Sequence, residues 1–488
     1  MAEELKILFV SPEVAPFAKT GGLADVSAAL PAALKRLGAD VRLVLPFYAS
    51  IHNGNFKIRP LLKNLAVPFG AETLRADILE TQTEDGVPVY LIAREELYAR
   101  PNLYGTPGGD YHDNLERFSF FANAALCATN ALDFGPDVIH CHEWQTGLIP
   151  AYTRGPYRNS ASSTGIPCVF TIHNLGYQGI FPAEKLTITG LDRKSFFHPE
   201  GLEFYGQISL LKAGIVYAEA ITTVSPTYAR EIQIPEYGLS MAGILSHRQN
   251  ALHGILNGVD YRLWDPAIDP HVPTHYSPRD MAGKHRCKES LIKEMGLDSS
   301  LKKKPLLGMV SRLDTQKGIE ILLQVLDEIL ALDAGLVVLG FGDERIHRAV
   351  REAADRHTGR MGIQIAFNDP LAHRIIAGGD ILLIPSLYEP CGLTQMYALK
   401  YGTVPVGRST GGLNDTIAQF DVKTGKGNGF KFGPFEPTAL LASIQQALDL
   451  FKKPEAWARL MANGMDSNFS WDSSAGKYLE LYHSLVKR

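Results

Sequence analysis

Short apolar runs alternate with helix-length stretches along almost the whole of this 488-residue chain, and no other property narrows its fold as much. In the first half, strands are expected at about 6–10, 40–45, 87–92, 137–141, 167–172, 220–224 and 254–256, with helices such as 114–130 and 208–217 between them. In the second half, strands are expected at 306–310, 336–339, 363–367, 380–384 and 404–407, separated by helices such as 319–332 and 343–357. Strand and helix in turn, at this spacing, mean parallel sheets covered by helices on both faces. The alternation breaks at about 259–284, which carries Pro266, Pro270, Pro273 and Pro278 and reads as an interdomain connector. The chain is also too long for a single core. The expected organisation is therefore an N-terminal domain over 1–258, the connector 259–284, a second domain over 285–470, and a last amphipathic helix over 471–488 that can pack on either domain.

Composition excludes several roles. The hydrophobic fraction is 45%, the charged fraction 20% and the formal net charge −4, so no broad basic field draws the chain to nucleic acid or anionic lipid. The five cysteines are odd in number and show no CxxC spacing, which argues against a disulfide framework and against a structural zinc site. Glu3 and Glu4 precede a short, strand-like apolar run, no signal peptide or membrane span is visible, and the cytoplasm is the expected location. The oligomeric state is not legible.

In an open parallel sheet, ligands bind beyond the carboxyl ends of the strands. The unusual polar residues fall there in both halves: Lys19-Thr20-Gly21-Gly22, His142-Glu143-Trp144, His173-Asn174, Arg312 to Gly318, Gly340-Phe341-Gly342-Asp343, Glu389 to Thr394, and Ser409-Thr410-Gly411-Gly412. A lysine and two glycines between a strand and a helix N-terminus suit a phosphate, although most Gly-Gly pairs are plain turns. Arg312 and Lys317 open a helix, where cations sit poorly against the dipole unless an anion lies between them. Each position has a plainer reading as well. His173 can be a core histidine, Asn174 a turn residue, Trp144 a core aromatic, Glu389 an exposed turn carboxylate, and Cys391 a small packed side chain. Seven such loops together point to a binding site, and two sheets whose strand ends face one cleft would gather them.

The strings KTGGLAD from Lys19, FTIHNL from Phe170, SRL from Ser311 with QKG from Gln316, EPCGLTQ from Glu389, NGVD from Asn257 and STGGL from Ser409 resemble those of bacterial glycogen synthases and plant starch synthases. The likeness runs from about Lys6 to Tyr478. It implies the GT-B architecture, an α/β fold of two doubly wound, Rossmann-like parallel-sheet domains facing a central cleft. It further implies a retaining glucosyltransferase that moves glucose from ADP-glucose to the non-reducing end of an α-1,4-glucan, with no metal and no separate cofactor. By the same resemblance, His173, Arg312, Lys317 and Glu389 carry the chemistry. Arg312 and Lys317 would clamp the diphosphate, and Glu389 would lie against the glucosyl hydroxyls. Lys19, Gly21, Gly22, Asn174, Gly342, Tyr388, Cys391, Gly392, Leu393 and Thr394 would line the donor site. Asp25, Tyr104, Glu143 and Trp144 would stand on the acceptor side, and the glycine-rich 104–110 stretch would form an acceptor-side loop.

Two departures matter. Where the family often has an HDWH-like string, this chain has His142-Glu143-Trp144-Gln145, keeping the carboxylate on a longer arm and losing the second histidine. Many related transferases carry a second glutamate eight positions after the first, and here that position is Tyr397, so a two-glutamate mechanism does not transfer. The alternatives are the same fold working on UDP-glucose or a small sugar acceptor, and a non-catalytic glucan-binding regulator. The regulator would be expected to lose Lys19, Lys317 or Glu389, and all three are present. A phosphorylase would need a lysine placed for pyridoxal phosphate, and none stands out.

Overall fold

The structure is a computed structural model that describes residues 4–106, 108–157 and 165–486. Its chain forms two units, Met1–Gly258 together with Trp471–Arg488, and Val259–Ser470. The first unit is built on a nine-stranded sheet. Lys6–Val10 lies between Asp40–Pro46 and Val138–His142, all parallel. Parallel pairing continues outward through Cys168–Ile172, Ala220–Thr223 and Leu252–Gly254 on one side and to Pro88–Ala93 on the other. Ile7, Leu8, Phe9 and Val10 are all fully buried, as a central strand covered on both faces requires.

The sheet is not wholly parallel. Arg59–Phe69 and Glu72–Gln82 form an antiparallel hairpin that extends it beyond Pro88–Ala93. Both hairpin strands are largely exposed, so they lack the continuous apolar runs that mark the other strands. The last helix, Trp471–Val486, returns to this unit. Tyr482 reaches the ring of His140 at 2.7 Å, Ser474 Oγ donates to the carbonyl of Leu256 at 2.6 Å, and Asp472 pairs with Arg36 at 2.6 Å.

The second unit holds a six-stranded parallel sheet. Its order is Met361–Ile365, Gly335–Gly340, Leu306–Val310, Ile381–Ile384, Val404–Arg408 and Phe430–Phe432. The expected helix 319–332 is two short helices, Ile319–Gln324 and Leu326–Ala331, because Val325 leaves helical geometry at φ −116°. The 259–284 stretch expected as a connector is folded against this unit. Val272 and Tyr276 pack with Cys287, Ile376, Ala377, Tyr401 and Met465, and Asp269 is fully buried. Its prolines break periodicity without making it a free linker. Among the described residues no helix is long and apolar enough to cross a membrane.

Candidate active site

In the first unit, the loop after Lys6–Val10 is organised by a residue the sequence reading passed over. Glu13, 4% exposed, accepts the Thr20 amide at 2.7 Å, the Gly21 amide at 3.3 Å, the Thr20 hydroxyl at 2.6 Å and the Tyr104 hydroxyl at 2.8 Å. The expectation that the Gly21 amide stands ready for a phosphate is thus modified, because Glu13 shares it. Gly22 opens the helix Gly22–Arg36, whose first amides precede the regular helical ladder, the Ala24 amide reaching the Gly21 carbonyl at 3.3 Å. Lys19 pairs with Asp25 at 2.7 Å, each side chain a little over one-third exposed. Tyr104 belongs to this cluster through Glu13, while Pro107 of the expected 104–110 loop lies outside the described residues.

The next strand ends carry a buried line of imidazoles. His173 Nε2 lies 2.9 Å from His142 Nδ1. His142 stacks on Phe9 and leans on His140, with ring centroids 4.1 Å apart in both cases. His140 in turn contacts Thr171 Oγ1 at 2.6 Å and Tyr482. Burial pushes His173 down to about 3, and burial with its imidazole neighbours holds His142 and His140 well below the ordinary histidine range. All three rings are therefore neutral at pH 7, so His173 can hydrogen-bond a sugar without carrying charge.

Glu143 holds that histidine in place. Its Oε1 accepts the amides of His173 at 2.6 Å and Asn174 at 3.0 Å, and its backbone takes a left-handed φ of 63°. Burial pushes its carboxyl up to about 8 against the opposing pull of those two amides. The acceptor-side expectations for this loop change accordingly: Glu143 is buried and spent on backbone. Trp144 is 7% exposed, edge-on to Phe118 at 5.1 Å and packed under Gly179, which leaves no free face for a sugar. Asn174 uses its side-chain oxygen on the Gly176 amide at 2.9 Å, as a turn residue does.

The buried imidazoles set a pH dependence. Depressed histidines contribute stability that is present above about 6.5 and lost as pH falls toward 3. Glu143, being raised, works the other way, its contribution full below 4.5 and lost as pH rises through about 8. The unfolding midpoint should fall on acidification below 6.5, and His173→Gln should flatten that slope. An unchanged slope in the variant would remove His173 from this explanation.

In the second unit, the loop after Leu306–Val310 turns at Asp314, whose carboxylate caps Thr315–Lys317 by accepting the Lys317 amide at 3.2 Å. Arg312 is held by Asp314 at 2.9 Å and by Gln316 at 2.9 Å, with half its side chain exposed. Lys317 Nζ meets Glu389 Oε2 at 2.6 Å, the two side chains 16% and 8% exposed. Ser386 donates to the same carboxylate oxygen at 2.9 Å. Gln316 joins the two loops, its Nε2 on the Tyr388 carbonyl at 3.2 Å and its carbonyl on the Leu387 amide at 2.8 Å. Gly318 makes that approach possible, since a Cβ there would lie 2.0 Å from the Pro385 carbonyl oxygen.

The EPCGLTQ string is braced from behind. Gly411, at φ +43°, lets the STGG turn press on Glu389, where a Cβ would come within 1.9 Å of the Glu389 carbonyl oxygen. Gln395, fully buried, ties the carbonyls of Cys391 at 3.1 Å and Gly392 at 3.0 Å to Thr416 at 3.1 Å. Cys391 is itself buried. Leu393 stands at the N-cap of Thr394–Lys400, and Thr394 is its first residue. Gly342 donates its amide to His347 at 2.9 Å and bridges Leu313, so it positions the Arg312 loop. Tyr397, where a second glutamate would stand, lies flat on Trp264 at 3.9 Å and 5°.

A cation beside a buried carboxylate at the strand ends of a parallel sheet suits sugar transfer from a phosphate-bearing donor. Two such α/β units in one chain correspond to the class of two-domain glycosyltransferases. Residues 6–247 match the starch synthase catalytic domain family, and residues 297–460 match glycosyl transferases group 1. The glycogen synthase of Geotalea uraniireducens is 46% identical over 488 residues, covering 99% of each chain. Glycogen synthase 2 of Geobacter metallireducens is 45% identical, covering 98% of this chain and 99% of its own. Among solved structures, the catalytic domain of Arabidopsis thaliana starch synthase IV bound to ADP and acarbose superposes with a TM-score of 0.92 at 33% identity, over 99% of this chain and all of that one. A sucrose-phosphate synthase from Thermosynechococcus elongatus shares the fold alone, with a TM-score of 0.60 at 17% identity over 99% of each chain. The chain belongs to the glycogen and starch synthase family of GT-B glycosyltransferases, enzymes that elongate glucan from a nucleotide sugar.

Proposed function

We propose that the chain transfers glucose from ADP-glucose to the non-reducing end of an α-1,4-glucan with retention of configuration. The observation that carries this reading is the Lys317–Glu389 pair at 2.6 Å. An ammonium has three donors, so Lys317 can keep one on Glu389 and offer the others to a diphosphate oxygen. Charge on the departing ADP then builds beside a fixed cation. The half-exposed Arg312 fork adds a bidentate contact once it leaves Asp314. Glu389 faces the opposite charge, the positive character that develops at the sugar carbon. With Tyr397 stacked away on Trp264, Glu389 acts without a second glutamate. His173, neutral and fixed by His142 and Glu143, accepts or donates one hydrogen bond to the glucose. Parallel titrations with ADP-glucose and UDP-glucose test the donor: the ADP sugar should be used with the higher kcat/KM, and preference for the UDP sugar would overturn that part.

Gly21 supports the phosphate role of the first loop. Its φ of −159° is open to any residue, and a Cβ built on it meets nothing within 4 Å among the described residues. Neither packing nor backbone asks for glycine there, whereas close approach of a ligand does. Because Gly21 is the N-cap of Gly22–Arg36, where valine is disfavoured, Gly21→Val should cost about 1 kcal/mol of stability, leave the protein folded, and raise the donor KM. An unchanged KM would remove the loop from the donor site.

A further inference from the structure

Apart from Lys317 and Glu389, the second unit gathers His271, Asp369 and His373, whose potential ligand atoms all lie within 4.8 Å of one another. His271 comes from the folded 259–281 stretch, and Asp369 and His373 from the helix Asp369–Gly378. On that helix Asp369 precedes His373 by four positions, so the two share a face, with Asp369 Oδ2 3.9 Å from His373 Nε2. The His271 ring lies 4.9 Å from the His373 ring, at 62° to it.

The surroundings hold His373 as a metal-bound histidine is held. Its Nδ1 lies 2.7 Å from Asp269 Oδ2, and that carboxylate is fully buried. A carboxylate there fixes the proton on Nδ1 and turns the Nε2 lone pair toward Asp369. The same Asp269 oxygen accepts the Tyr401 hydroxyl at 2.6 Å, and its other oxygen accepts the His271 amide at 2.8 Å. One buried carboxylate thus orients the His373 ring and fixes the backbone at His271. Trp264 stacks on the His373 ring at 3.6 Å and 11°, which stops the imidazole from turning. Asn368 fixes the start of the helix by accepting the Leu371 amide at 3.1 Å.

We propose that His271, Asp369 and His373 bind one divalent transition ion of the zinc type, with water completing its shell. Two imidazoles and one carboxylate suit such an ion better than magnesium or calcium, which prefer all-oxygen shells. Bonds of about 2.0–2.1 Å place tetrahedral ligand atoms about 3.4 Å apart, so the cluster has to close slightly. Asp369, with its side chain 57% exposed, is free to move in, while His373 is the fixed ligand. The bound ion would pin the 259–281 stretch to the helix beneath it. The chain's 15 histidines and five cysteines offer other places for zinc, so the test depends on the variants.

The full chain, stripped by a chelator, is titrated with zinc by calorimetry and with cobalt(II) by visible absorption. The parent should take up one ion with the spectrum of a nitrogen–oxygen site. His271→Gln and Asp369→Asn should each weaken that uptake about ten-fold or more while unfolding at the parent's metal-free midpoint. Zinc at a concentration that just saturates the parent should raise the parent's unfolding midpoint by clearly more than that of either variant. No uptake by the parent, full uptake by both variants, or loss in only one of them overturns the three-ligand site.

Discussion

Lys317→Ala should lower turnover by about 10²–10³-fold, the range expected when one preorganised electrostatic donor is lost. It should also destabilise the second unit, because the substitution strands a carboxylate whose side chain is only 8% exposed. Breaking a buried ion pair from one side costs about 3–5 kcal/mol. The two effects separate in a double variant. Lys317→Ala with Glu389→Ala should recover much of the lost stability, since no unpaired buried charge remains, and recover none of the rate. Urea unfolding gives the stability change, and ADP release under saturating donor gives the rate. Near-normal turnover in Lys317→Ala would refute the phosphate role, and a double variant no more stable than the single would refute the buried-pair account.

Gly411→Ala should act on the same carboxylate from behind. Its Cβ would lie 1.9 Å from the Glu389 carbonyl oxygen, and the backbone at φ +43° disfavours any side chain. The backbone strain alone is worth about 1–3 kcal/mol. Because the clash is with the Glu389 main chain, relief requires that loop to move. A shift of about 1 Å in a reacting group costs on the order of 10²-fold in rate. The expected result is a folded but less stable protein, with kcat reduced far more than donor affinity. Gly412, whose Cβ would lie 2.0 Å from the Cys391 carbonyl oxygen, braces the neighbouring residue in the same way. Full activity in Gly411→Ala would show that the loop tolerates displacement and that Glu389 does not need this position.

The parallel strands were legible because burial on both faces writes an unbroken apolar run, as at Ile7 to Val10 or Leu306 to Val310. The hairpin Arg59–Phe69 with Glu72–Gln82 was not, since it lies at the sheet's edge and is largely exposed. The loops at the strand ends were visible as unusual residues in expected places. What those residues touch was less so. Glu13 meets a tyrosine 91 positions away, and Lys317 meets a glutamate 72 positions away. Nothing local marks either partner. Trp144 and Glu143 sat in a string that suggested contact with substrate, and burial turned both to the inside of the unit. The STGG turn and Gln395 looked like the family without an evident task, and their task is to hold the backbone of Glu389 to Gly392. Pro266 to Pro278 broke the helical and strand periods and so read as a linker. Prolines exclude regular structure without excluding packing, and this stretch is packed.

Transfer itself can be followed: glucose should leave ADP-glucose and join the end of a glucan chain. The most direct measurement follows radiolabelled glucose from ADP-glucose into glycogen while ADP is counted in the same reaction. One ADP should be released for each glucose incorporated, in a reaction that depends on both donor and glycogen and adds new residues at non-reducing ends. Folded protein that releases no ADP, or that releases it without incorporating glucose into the glucan, would contradict transfer.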